Sequence, residues 1–275
     1  MPRLAVAQTT CKVGDVAANL EAAAGLLAQA KRERTDLVCF PELFTTGLVP
    51  ERTAALAETI PGPTTDTLCR LAKDCGAFVV AGLLERGPED GRFYNASVLL
   101  SRGGELLARY RKVYLYLGER DILSPGREPC VCDVGFARIA LTICYDYVFP
   151  QYIQHLVDQG ADLLVHSTAW LSTDACEAWR YHPMSYRAMA MTRALENTVF
   201  FMSANHSGPY DAAGDLRAVG QSAIIAPWGE VLAEVPEGQG LAVADVDFTK
   251  APQWRSAAAP YVADRRAVRW RPHPP

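Results

Sequence analysis

The chain reads as a single-domain α/β protein with a mixed sheet, and three observations predict this. Short apolar or β-branched runs alternate with helix-period patterns from one end to the other. Turn signals at Gly103-Gly104 and Pro227-Trp228-Gly229-Glu230 insert hairpins into that alternation, so some neighbouring strands are antiparallel. No linker, repeat or low-complexity stretch divides the 275 residues, a length with ample core for one large domain.

In order, residues 4–8 predict a strand and residues 15–30 a helix with Leu20, Ala24, Leu27 and Ala30 on its apolar side. Residues 36–40 form a strand that stops at Pro41-Glu42. A helix over 64–75 is capped by Thr64 or Thr65 and stopped by Gly76. Strands follow at 77–84, 96–101 and 106–110, then at 136–143. Next come a helix over 151–159, a strand over 162–167, a longer helix over 181–196 and a strand over 198–204. The hairpin strands 223–226 and 231–233 and a last strand over 241–246 complete a domain of residues 1–250. Residues 251–275 form a C-terminal extension whose Trp254, Tyr261 and Trp270 call for packing on the domain or on a second subunit.

Composition narrows the function classes. A hydrophobic fraction of 49% with 21% charged residues is that of an ordinary water-soluble domain. The net charge of -4 gives no basic footprint for nucleic acid. No run approaches the roughly 18 apolar residues of a membrane span, and the first residues lack the apolar segment of a secretion signal. Eight scattered cysteines without such a signal read as reduced thiols in the cytoplasm. Cys130-Val131-Cys132 has the wrong spacing for a zinc knuckle and reads as two same-face side chains of one strand.

Three polar residues interrupt or end apolar segments, where a charge is costly unless paired or used, and a fourth lies in a nearby loop. Cys144 ends Leu141-Thr142-Ile143, at a strand end where freed backbone N–H groups can receive an oxyanion. Glu42 follows Pro41 at the end of another strand, and Lys112 stands in Arg111-Lys112-Val113-Tyr114. Glu119 lies in the turn-rich loop before Ser124-Pro125-Gly126. Alone, each has a bland reading: a structural thiol, a solvated acid, a surface charge pair. Together, a thiol, carboxylates and an ammonium are the parts of an activated nucleophile with its base and electrophilic partner.

Those segments, in their order, resemble the signatures of the nitrilase superfamily of carbon–nitrogen hydrolases. Phe40-Pro41-Glu42-Leu43-Phe44 is similar to the first and Tyr110-Arg111-Lys112-Val113-Tyr114-Leu115, continuing to Gly126, to the second. Leu141-Thr142-Ile143-Cys144-Tyr145-Asp146 with Phe149-Pro150 is similar to the third. Arg193 to Asn197, Ser203-Ala204-Asn205 and Gly220-Gln221-Ser222 extend the likeness over nearly the whole chain. The resemblance implies an α-β-β-α sandwich that assembles as a homodimer or higher homo-oligomer. It implies Glu42 as general base, Cys144 as nucleophile, Lys112 and the Tyr145 N–H as oxyanion donors, and Glu119 as the group orienting substrate or water. It requires no metal and no organic cofactor.

Members acting on nitriles carry Trp-Glu directly after the cysteine, whereas this chain has Tyr145-Asp146, which favours amides. A small linear amide is the expected substrate, in a pocket walled by Tyr116, Tyr145, Trp170 and His166, with Tyr114 nearby. His166 reads equally as a satisfied core histidine. An N-carbamoyl compound is the alternative. Asp174, Glu177 and Arg180 leave open whether a cation or a carboxylate is preferred at the mouth. Two other classes fare worse: there is no Gly-x-Ser-x-Gly elbow for a serine hydrolase, and a non-catalytic interaction protein has no physical reason to keep two acids and a lysine beside a thiol.

Overall fold

A computed structural model describes residues 1–172, 176, 178–182, 184–210 and 216–268. Its first sheet is built from β1 (Arg3–Gln8), β2 (Leu37–Cys39), β3 (Phe78–Arg86), β4 (Phe93–Leu100) and β5 (Leu106–Arg111). A second sheet contains β6 (Val131–Asp133), β7 (Arg138–Ile143), β8 (Leu163–Ser167), β10 (Phe200–Ala204), β13 (Ser222–Ile225) and β14 (Val231–Val235). The last strand, β15 (Gly240–Asp245), returns to the first sheet beside β1, giving the orders β15-β1-β2-β3-β4-β5 and β14-β13-β10-β8-β7-β6. Short strands β9 (Leu171–Ser172), β11 (Ser207–Pro209) and β12 (Arg217–Val219) form a small third sheet.

The two large sheets face each other, with β1 against β10 and β13, and β2 against β8 and β10. Helices α1 (Val16–Arg32) and α2 (Pro63–Cys75) pack together on the outside of the first sheet. Helices α3 (Pro150–Asp158) and α4 (Met184–Asn197) cover the second. This is the α-β-β-α sandwich. Because side chains alternate along a strand, β1 serves two layers. Leu4 and Val6 enter the core between the sheets, whereas Ala5 and Ala7 face the α1 and α2 side with Leu26, Leu27 and Leu68. Strands buried on both faces must read as continuous apolar runs, as β1 and β2 do.

The start of α1 is fixed by Asp15, whose Oδ1 accepts from the Ala18 amide at 3.1 Å. The cap of α2 differs from the expectation. The helix begins at Pro63, and the carboxylate of Glu58 accepts from the Thr64 amide at 2.7 Å and from its hydroxyl at 3.0 Å. An acid brought in from the preceding segment does what a local threonine was expected to do. Gly76 ends the helix at φ 77° as read from sequence.

Beyond β15, α5 (Lys250–Ala257) and α6 (Tyr261–Ala267) lie against the domain, with Ala251 and Val262 buried and α6 touching α4. Arg265 Nη1 donates to Asn197 Oδ1 at 2.8 Å, and Arg266 pairs with Asp158 at 2.7 Å. Trp270, Asp174 and Glu177 lie outside the described residues. Among the described residues no helix is long and apolar enough to cross a membrane.

Candidate active site

Direction of travel explains why distant residues meet. β1, β2 and β3 run parallel, β4 is antiparallel to β3, and β5 is antiparallel to β4, so β5 ends at the same edge as β2. In the second sheet β7, β8 and β10 are parallel. The segments just past β2, β5, β7, β8 and β10 therefore gather at one edge of the sandwich, where backbone groups lose their ladder partners. They carry Glu42, Lys112, Cys144, Thr168 to Trp170, and Asn205 with His206. Gly82 permits the close approach of the Glu42 turn, since a Cβ there would stand 2.5 Å from Glu42 Cα and 2.5 Å from the Pro41 oxygen.

Lys112 is 1% exposed and donates from Nζ to Glu42 Oε1 and to Glu119 Oε2, each at 2.7 Å. Asn95 bridges the same two acids through Nδ2, at 2.6 Å to Glu42 Oε1 and 2.9 Å to Glu119 Oε1. Glu42 Oε2 accepts the Ala169 amide at 2.8 Å, and Glu119 Oε2 accepts the Tyr116 amide at 2.7 Å. Burial alone would push the lysine down, but the Glu42 and Glu119 carboxylates outweigh it and hold the ammonium above the usual lysine range. An ammonium has three donors; among the described residues two are spent on carboxylates, which leaves the third for a ligand.

Cys144 lies at φ 42° in a single 3-10 turn, Cys144–Val148, so the strand ends at Ile143 and the chain kinks at the thiol. Left-handed backbone at a non-glycine residue is held only by its surroundings and is common at functional positions. Burial pushes the Cys144 thiol up; the Glu42 charge adds to that, and Lys112 and the Thr168 hydroxyl oppose it. The resting side chain is therefore a neutral thiol beside a carboxylate that can take its proton. The Thr168 hydroxyl has no hydrogen-bond partner elsewhere among the described residues.

The predicted pocket residues divide. Tyr145 stands edge-on to Tyr116 at 5.0 Å and to Phe149 at 5.1 Å, and Tyr116 is 51% exposed, so both belong to a rim beside the thiol. Trp170 is half-buried, stacked near Tyr186 at 5.8 Å, with its amide on Asn205 Oδ1 at 2.9 Å. His166 is not brought to an open surface. It is 0% exposed, packed against Tyr147 and Phe201, with Nδ1 2.9 Å from Thr142 Oγ1. Burial lowers its pKa to about 3, so it stays neutral. Arg180 is exposed, at φ 51°.

Three contributors escaped the sequence reading. Asn95 lies inside β4, whose first three residues fall before the strand expected over 96–101. His206 donates from Nε2 to the Glu42 carbonyl at 2.8 Å, the role its Nδ1 contact with Thr9 Oγ1 at 2.9 Å leaves it. Asp146, quoted only as a branch marker, is fully buried and takes three donors. Among the described residues no three His, Cys, Asp or Glu side chains are arranged to hold a metal ion.

A buried thiol, a paired lysine and two acids at one strand edge match what is found by comparison. Residues 3–256 fit the carbon-nitrogen hydrolase family. The chain belongs to that family. Similar proteins include omega-amidase NIT2-B of Xenopus laevis, 30% identical over 84% of this chain and 83% of its own length. A nitrilase of Pyrococcus abyssi is 32% identical over 90% of each. Among solved structures, an amidase from Nesterenkonia sp. AN1 superposes with TM-score 0.82 at 30% identity, covering 97% of both chains. That amidase has been seen, in a glutamate-to-glutamine variant, with acrylamide added at its active site cysteine and, in a cysteine variant, in complex with butyramide.

Proposed function

We propose that this carbon-nitrogen hydrolase converts a small linear amide to its carboxylic acid and ammonia through a thioester on Cys144. The observation that carries this reading is the pairing of a neutral buried thiol with Glu42 and with a Lys112 that has one N–H to spare. The Nesterenkonia amidase and the omega-amidase relatives support amides as the class.

As the thiol sulfur attacks the carbonyl carbon, its proton passes to Glu42 and the oxygen becomes an oxyanion. Lys112 Nζ and the Tyr145 N–H stabilise that charge in a site from which water is largely excluded. Collapse breaks the C–N bond, Glu42 returns the proton to the leaving nitrogen, and ammonia departs. Water then loses a proton to Glu42, attacks the thioester and releases the acid, and the thiol is restored. Glu119 fixes Lys112 through Oε2, which also accepts the Tyr116 amide, and keeps a lone pair on Oε1 beside the Asn95 contact to orient substrate or water. Tyr116, Tyr145 and Trp170 wall the acyl group; His166 supports the floor from beneath.

We read the protein as a cytoplasmic homodimer or higher homo-oligomer; eight cysteines outside any disulfide support the reducing compartment. The test of function is ammonia release across linear amides, ω-amides of dicarboxylic acids, N-carbamoyl compounds and nitriles, with Cys144→Ala as control. Fastest turnover of an unbranched amide, abolished in Cys144→Ala, is the expected result. Turnover of nitriles or N-carbamoyl compounds alone would overturn it.

A further inference from the structure

Lys112 and Cys144 ride on two separate chain segments, one from each sheet, and one buried carboxylate joins them. Asp146 is 0% exposed. Its Oδ1 accepts the Tyr114 amide at 3.0 Å, two residues beyond Lys112. Its Oδ2 accepts the Ile143 amide at 2.9 Å, one residue before Cys144, and the Tyr110 hydroxyl at 2.6 Å, two residues before Lys112. Tyr152 donates in turn to the Tyr110 oxygen at 3.0 Å. We propose that Asp146 is a positioning residue for the amide hydrolysis argued above, holding the Lys112 segment and the Cys144 turn in register so that the oxyanion donor and the nucleophile address the same carbon.

Only a carboxylate can do this. Three donors converge on two oxygens, and an ionised carboxyl accepts on both while donating on neither. Burial pushes Asp146 up to about 6, countered by the Tyr110 hydroxyl and the two amides, so it remains ionised at neutral pH. An Asn in its place has one acceptor and one donor end. Whichever way the amide faces, its NH2 group points at either the Tyr114 N–H or the Ile143 N–H and releases that side of the bridge. Cys144 sits in a conformation that needs external support, so a freed Ile143 is felt directly at the thiol. A misplacement of about 1 Å between reacting groups can cost about 10²-fold in rate.

The experiment compares wild type, Asp146→Asn and Tyr110→Phe in full-length protein, with butyramide as substrate. Asp146→Asn is expected to lower kcat by about 10²-fold with KM within about threefold. Tyr110→Phe, which removes one donor and leaves both amides held, should lower kcat by a few fold. A merely structural role predicts a lower unfolding midpoint with unchanged kcat per folded molecule. Unchanged kcat in a folded Asp146→Asn overturns the proposal, as does a rise in KM alone; if that variant does not fold, unchanged kcat in Tyr110→Phe does so. Hydrogen exchange at the Tyr114 and Ile143 amides needs no turnover. If wild type leaves butyramide untouched, the amidase reading fails while exchange still decides the bridge: faster exchange at either amide in Asp146→Asn supports it, and unchanged exchange at both overturns it.

Discussion

Lys112 and Glu119, seven residues apart in sequence, meet at 2.7 Å in a site where both are almost wholly buried. A 3-10 turn over Leu117–Asp121, entered through Leu117 at φ 40°, folds the acid back onto the lysine. With Glu42 on the other side, the ammonium is the cation on which two buried carboxylates depend. Lys112→Ala should therefore cost about 3–5 kcal/mol of stability, the scale for stranding buried charge. It should also reduce kcat by about 10²-fold or more, the cost of losing an oxyanion donor. Urea unfolding and ammonia release check the two halves; a stable, active Lys112→Ala would remove the ion network from the account.

Asn95 touches both acids, so Asn95→Ala leaves each short of a donor. About 1–3 kcal/mol of destabilisation is expected, with lower kcat and little change in KM, because the residue aligns Glu42 rather than the substrate. Steady-state kinetics alongside urea midpoints measure this. Wild-type kcat would show that the lysine alone aligns the acids.

Gly82→Ala tests the packing that sets Glu42. The new methyl meets backbone of the Pro41-Glu42 turn and cannot be relieved by a rotamer change. A cost of about 1–3 kcal/mol and a loss of activity out of proportion to it are expected. Activity per folded molecule equal to wild type would show that the turn tolerates displacement.

Acid should destabilise the fold. His166 and His206 are neutral when folded, their pKa values lowered by burial to about 3 and about 4. The unfolded chain takes up those protons below about pH 6.5, so their contribution is complete above 6.5 and is lost as pH falls. Asp146, raised by burial to about 6, acts oppositely, gaining as pH falls from about 6 towards its unfolded value. Two histidines outweigh one acid, and these groups together remove about 2 kcal/mol between pH 7 and pH 5. Urea midpoints at the two values check the sign; equal or greater stability at pH 5 contradicts it.

Much of this was legible because the catalytic residues carry their own contrast. A charge or thiol that ends an apolar run stands out, and the order Glu42, Lys112, Glu119, Cys144 was visible without coordinates. Cys130 and Cys132 were read as same-face neighbours, and their sulfurs lie 3.7 Å apart. What stayed hidden depends on pairing across the sheets. Asn95 looks like any polar residue until β4, which includes it, is seen to bring it between two acids. His166, one residue before the end of β8, left a pocket and a core reading equally open, and only the structure turns it into the core against Tyr147. Asp146 reads as a family marker until its three donors are counted. The small sheet of β9, β11 and β12 is too short to have a periodicity of its own.

The nucleophilic thiol is the claim on which the rest depends, and intact-mass analysis of protein quenched during butyramide turnover tests it most directly. The account predicts a single butyryl adduct that maps to the peptide containing Cys144, accumulates during ammonia release and is absent, with the activity, in Cys144→Ala. Ammonia release at the wild-type rate from Cys144→Ala, or an adduct on another cysteine, would contradict it.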